Sequence, residues 1–162
     1  GGDLEAFMQS EQHAARENAR TPMHWDATPN AGFTKATPWI RLNPNYSDGI
    51  SVAHQEEEDH SVLSYFRKMT AVRKSNVALV YGVYKCLDPD HEQIYAYTRT
   101  LGENRFLILL NFSEDTVTYT LPHHITYNRK EKVISNTLIL DDKTYREFML
   151  SGWQAVVYRL ED

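Results

Sequence analysis

At residue 77 the hydrophobic period of this chain changes from helical to two-fold, and that change limits what it can fold into. Before it, apolar residues recur at three- and four-residue spacing; after it, they alternate or run in short blocks bounded by turn residues. Candidate strands lie at 78–87, 93–100, 105–112, 116–121, 131–135, 145–150 and 153–160. Asp88-Pro89-Asp90 and Gly102-Glu103-Asn104 supply turns between them. Phe106-Leu107-Ile108-Leu109-Leu110 is apolar on both faces, which predicts a central strand covered on each side. Tyr95, Tyr97 and Tyr119 fit half-buried strands. Short strands at hairpin spacing predict an antiparallel sandwich.

The first 76 residues read differently. Residues 3–19 predict a helix with Asp3 as N-cap and a thin apolar face, Leu4, Phe7, Met8, Ala14 and Ala15, that needs something larger to pack on. Thr21 before Pro22 stops it. Residues 21–55 predict a long irregular segment broken by Pro22, Pro29, Pro38 and Pro44, yet holding Trp25, Phe33, Trp39, Ile40 and Tyr46. Disordered linkers are poor in aromatics, and a long loop with aromatic anchors suits a functional loop. Glu56-Glu57-Glu58-Asp59 reads as a solvated acidic cap, with Asp59 as N-cap of a helix over 60–75 whose stripe is Val62, Phe66, Met69 and Arg73.

Several functions are excluded or disfavoured. A net charge of −5 argues against nucleic acid, whose phosphates call for a basic surface, and offers nothing to an anionic membrane. No apolar run has the length of a membrane span. Gly1-Gly2-Asp3-Leu4-Glu5 lacks the basic and apolar regions of a signal peptide. Cys86, the single cysteine, excludes an internal disulfide and says little about compartment. His123-His124 is read as a strand pair pointing to opposite faces, a poor metal site. No phosphate loop, nucleophile elbow or zinc spacing is present, and no cofactor or metal is expected.

The chemistry concentrates in Arg16-Glu17-Asn18-Ala19-Arg20-Thr21-Pro22-Met23-His24-Trp25. Its two guanidiniums are spaced four apart and a tryptophan follows. A planar donor fork beside an indole suits a polyhydroxylated ligand.

This run, continued to Asp26, resembles the R-D-N-x-R-T-P-M-Q-W-D signature of the oligo-1,6-glucosidase and α-glucosidase group of the α-amylase superfamily. Asn30-Ala31-Gly32-Phe33-Thr34, Pro38-Trp39-Ile40 and Asn43-Pro44-Asn45-Tyr46 are similar to the segments that follow it there. So are Ser61–Lys68 and Leu79-Val80-Tyr81-Gly82. The resemblance implies an α+β chain. Residues 1–76 would be the tail of a (β/α)8 barrel, its loop and last helix, and residues 77–162 an antiparallel β-sandwich C-terminal domain. A whole barrel takes about 250 residues, more than this chain holds. The implied partners are the remainder of the barrel and an α-linked oligosaccharide or disaccharide.

The family mechanism retains configuration and needs a carboxylate nucleophile and an acid about 5 Å apart. The residues that match this chain include neither, so no catalytic residue is assigned and the chain alone is expected not to hydrolyse glycosides. The resemblance gives Arg16 a role in holding the non-reducing-end glucose, paired with an upstream aspartate, because a buried guanidinium needs a counter-charge. Arg20 is either a ligand contact or a clamp on the loop. Asn18 can donate to a sugar hydroxyl or cap the helix. Trp25 and Phe33 are candidates for an aromatic wall. His24 stands where the family has glutamine, and Gly152 stands where its closing strand has proline, which predicts a looser start to that strand. Trehalose synthase, sucrose isomerase and trehalose-6-phosphate hydrolase share these motifs. A different class, a β-sandwich that binds carbohydrate without catalysis, would show measurable sugar affinity and a line of exposed aromatics on one sheet face.

Overall fold

A computed structural model of the protein describes residues 3–14, 19–137 and 144–162. They form two compact units, one up to Tyr65 and one from Phe66 onward.

In the first unit, α1 spans Leu4–Ala14. Asp3 caps it as expected: its carboxylate accepts from the amides of Glu5 at 3.1 Å and Ala6 at 3.3 Å. The expected continuation through 15–18 lies outside the described residues. Leu4, Phe7 and Met8 are exposed, so the thin apolar face has no cover within the unit. The stretch from Thr21 is mostly irregular, with a left-handed turn at Pro29–Gly32, a 3-10 turn at Pro44–Asp48 and a short helix α2 at Val52–Glu57.

The acidic run is not the cap it was expected to be. Glu56 and Glu57 end α2, and Glu58 is its C-cap. The next helix, α3, spans Val62–Ser75. Its cap is Ser61, whose hydroxyl accepts from Ser64 N at 3.1 Å and donates to Gln55 O at 2.6 Å. Gln55 Oε1 also accepts from Leu63 N at 3.1 Å. A glutamine in one helix thus helps start the next, a pairing that local spacing does not reveal. Val62, Phe66 and Met69, the expected stripe, are exposed.

The second unit holds the sandwich. The first expected strand, 78–87, is instead helix α4 at Val77–Tyr81 followed by β1 at Val83–Cys86. A short apolar run such as Val77-Ala78-Leu79-Val80 fits either state by periodicity alone. Tertiary partners decide it. Arg73 donates to Leu79 O at 2.6 Å and Arg99 to Val80 O at 2.7 Å, satisfying carbonyls at the end of α4. Gly82 makes the corner: a Cβ there would sit 2.4 Å from Ala78 O.

The remaining strands are β2 (Ile94–Leu101), β3 (Asn104–Asn111), β4 (Val117–Thr120), β5 (Arg129–Ser135), β6 (Glu147–Leu150) and β7 (Ala155–Glu161). A five-stranded antiparallel sheet has the order β1-β2-β3-β7-β5, and β4 pairs with β6 in a second sheet. β3 is the doubly covered centre. Leu107 and Leu109 face Tyr119, Leu121, Phe148 and Leu150 between the sheets, while Phe106 and Ile108 face Ala78 and Leu79 of α4. Tyr119 is buried and its hydroxyl has no hydrogen-bond partner among the described residues. Burial pushes this phenol up to about 12, with Asp88 and Cys86 adding to the shift.

Two readings change. His123 and His124 lie on an exposed turn closed by Ile125 N donating to Pro122 O at 3.0 Å, not in a strand. Gly152 does not loosen the chain: its backbone is pressed on Glu114, whose carbonyl oxygen would lie 2.2 Å from an added Cβ.

Candidate functional site

The signature segment is held by the helix that follows it in sequence. The carbonyls of His24 and Trp25 accept from Val52 N and Ala53 N, each at 2.9 Å. These are the first amides of α2, which have no acceptor inside the helix. Ser51, buried, caps the same end by accepting from His54 N at 3.4 Å. Loop and helix thereby satisfy each other.

Beyond Trp25 the chain reverses through three left-handed residues, Asn30 (φ 58°), Ala31 (φ 54°) and Gly32 (φ 66°). Ala31 O accepts from Trp25 N at 2.8 Å, and Asn30 Nδ2 donates to Thr34 O and Ala36 O, each at 3.0 Å. Gly32 backs onto the Asp26 carboxylate, which would lie 2.7 Å from a Cβ. That carboxylate accepts from the Thr28 hydroxyl and, at 2.8 Å, from Thr28 N. The Thr28 side chain and then its amide hold Asp26 below the usual carboxylate range, against a smaller opposing effect of burial. Asp26 is thus an organiser of the turn.

His24 Nδ1 lies 3.0 Å from Ile50 O. A carbonyl only accepts, so Nδ1 is the donor of this hydrogen bond. Tyr46 meets the ring edge-on at 5.6 Å. A glutamine amide can make the same donation, which reconciles His24 with the family pattern. His24 Nε2 and Asn45 Oδ1 are buried without a hydrogen-bond partner among the described residues. Both residues line an open hollow of about 310 Å³, with Pro22, Met23, Ile50 and Gln55 also on its wall.

Of the expected site residues, Arg16 and Asn18 lie outside the described residues. The Arg20 guanidinium sits over the Trp39 ring at 5.2 Å, and Trp39 is 78% exposed. Such a pair contributes about 0.5–1 kcal/mol at an exposed site. Trp25 and Phe33 are both exposed. None of Arg20, Trp25 and Phe33 lines the hollow. Trp39 was not among the candidate site residues; its signal was the Pro38-Trp39 pair, an unshielded indole in a loop. Among the described residues no group of three or more histidine, cysteine or acidic side chains could hold a metal. Among them, too, no helix is long and apolar enough to cross a membrane.

Residues 1–82 match the family described as alpha amylase, catalytic domain, and residues 84–146 match the maltogenic amylase C-terminal domain. The chain belongs to the α-amylase family, glycoside hydrolase family 13. It corresponds to a C-terminal portion of such proteins. The junction between the two matches falls at Val83, where α4 gives way to β1. An oligo-1,6-glucosidase of Parageobacillus thermoglucosidasius is 42% identical over 99% of the chain, and one of Bacillus cereus is 36% identical over 99%. The chain spans 28% of the length of each. Among solved family structures, an isomaltulose synthase from Erwinia rhapontici NX5 in complex with D-glucose matches with a TM-score of 0.88 and 41% identity. That match covers 99% of this chain and 28% of the other.

Proposed function

We propose that the chain is part of a retaining α-glucosidase that removes glucose from the non-reducing ends of short α-linked glucans. Residues 1–76 then complete the catalytic barrel and residues 77–162 form its C-terminal domain. The observation that carries this reading is the match to oligo-1,6-glucosidases over 99% of the chain. The uncovered apolar faces support it: Leu4, Phe7 and Met8 of α1, with Val62 of α3, are the surface a missing barrel would bury. Arg16 holds the terminal glucose while an upstream aspartate neutralises it. Arg20, Asn18, Trp25 and Phe33 border the same cavity. Asp26, tied to Thr28, is not the nucleophile.

The test is reconstitution. The chain alone leaves 4-nitrophenyl α-glucoside intact, and co-expression with the upstream barrel of an oligo-1,6-glucosidase restores hydrolysis. Hydrolysis by the chain alone sinks the proposal.

The isomaltulose synthase match favours a second reading, an enzyme that isomerises sucrose. Sucrose given to the reconstituted enzyme separates the two: isomaltulose marks an isomerase, glucose plus fructose a hydrolase.

A further inference from the structure

We infer that Trp153 is the platform of a second saccharide site, on the sandwich, that takes one pyranose of an α-linked glucan. The turn Ser151–Gln154 is closed by Gln154 N donating to Ser151 O at 3.2 Å. Trp153 is its third residue, at φ 56°. That left-handed position favours glycine, and a bulky side chain there is strained. The chain places its glycine one residue earlier, at Gly152, where the Glu114 backbone leaves no room for a Cβ.

The strained conformation is enforced from every side. Trp153 N donates to Ser113 O at 2.9 Å, and Asn136 Nδ2 donates to Trp153 O at 2.8 Å. Gln154, 1% exposed, accepts from Ser151 N at 2.8 Å. Asn111, 4% exposed, donates to Ser151 O at 2.9 Å and to Asp115 O at 2.7 Å, and accepts from Ser113 N at 3.0 Å. Strain held by this many buried polar groups marks a functional position.

The indole is not retained for packing, because Trp153 is 62% exposed. Asn111 N bonds Gln154 O at 2.8 Å and continues the β3–β7 register by one pair. Phe112, which follows Asn111 in the chain, is also 62% exposed. The exposed Trp153 ring suits the apolar face of a pyranose, and Asn136 and Ser113, which bond the Trp153 backbone, are polar neighbours for its rim of hydroxyls. Polypeptide from the rest of a longer protein is the competing occupant. Trp153 precedes β7, and Arg159 within that strand bonds Asn76, the N-cap of α4, at 2.8 Å.

The choice of an α-glucan rests on the proposed function, but the readouts differ: reconstituted hydrolysis tests the catalytic reading, and binding by the chain tests this one. Maltoheptaose and isomaltotriose are titrated into the 162-residue chain while the indole N–H signals of its tryptophans are followed by NMR. The expected result is a shift of the Trp153 signal and of the Phe112 and Ser113 amides. Trp153→Gly suits the left-handed backbone, so it keeps or raises Tm while weakening saccharide affinity at least tenfold. The inference is overturned by an unmoved Trp153 signal, by shifts confined to residues 20–57, or by unchanged affinity in Trp153→Gly. Burial of Trp153 against polypeptide in the reconstituted enzyme, read by loss of acrylamide quenching, overturns it as well.

Discussion

Asp26 shows how one residue's charge is linked to the fold around it. The Thr28 hydroxyl, then the Thr28 amide, stabilise the ionised carboxylate, so its folded pKa lies below the reference value of 3.8. A depressed folded pKa contributes stability that is complete above the unfolded value and is lost as pH falls through the folded one. Order in the 26–34 turn is therefore expected to persist at neutral pH and weaken below about pH 3.8. Thr28→Ala should raise the Asp26 pKa, measured by carboxyl-carbon NMR titration; an unmoved value would contradict the assignment. Arg16 carries a prediction of its own. In the reconstituted enzyme, Arg16→Ala should lower kcat/KM by about 10–150-fold, since hydrogen bonds from a charged donor are worth about 1.5–3 kcal/mol. Unchanged steady-state kinetics would remove Arg16 from the cavity. The arginines and aromatics near the signature were legible as residue types. The stacking of Arg20 on Trp39 was not, because eighteen intervening residues of irregular chain set that distance.

At the scale of elements, β3 was readable from its doubly apolar run and α4 was not. Phe106 to Leu109 announce burial on both faces, and a buried central strand requires nothing more from its surroundings than two covers. Leu107→Ala should cost about 2–5 kcal/mol, read as a lower midpoint in guanidinium unfolding. A cost below 1 kcal/mol would mean that the space between the sheets collapses around the smaller side chain. The state of residues 77–81 depends on Arg73 and Arg99 reaching its carbonyls from a helix and a strand. Gly82→Ala tests that corner. Its methyl would collide with the Ala78 carbonyl, so a loss of about 1–3 kcal/mol is expected from overpacking. The same kind of distant partner, Gln55, moved the start of α3 from Asp59 to Ser61.

For the molecule as a whole, sequence motifs placed the chain in the α-amylase family and marked it as a C-terminal portion of such a protein, and the family matches agree. The antiparallel sandwich was also legible, because two-fold alternation and turn chemistry are local properties of the chain. Tertiary structure alone decided which short apolar run became a helix, which serine capped which helix, and that Trp153 stands in a strained backbone with its ring exposed. Each of these turns in part on hydrogen bonds or steric contacts outside the helical and strand repeats, six or more residues apart in sequence. Periodicity and propensity describe neighbours along the chain, so contacts of that kind leave no mark in them.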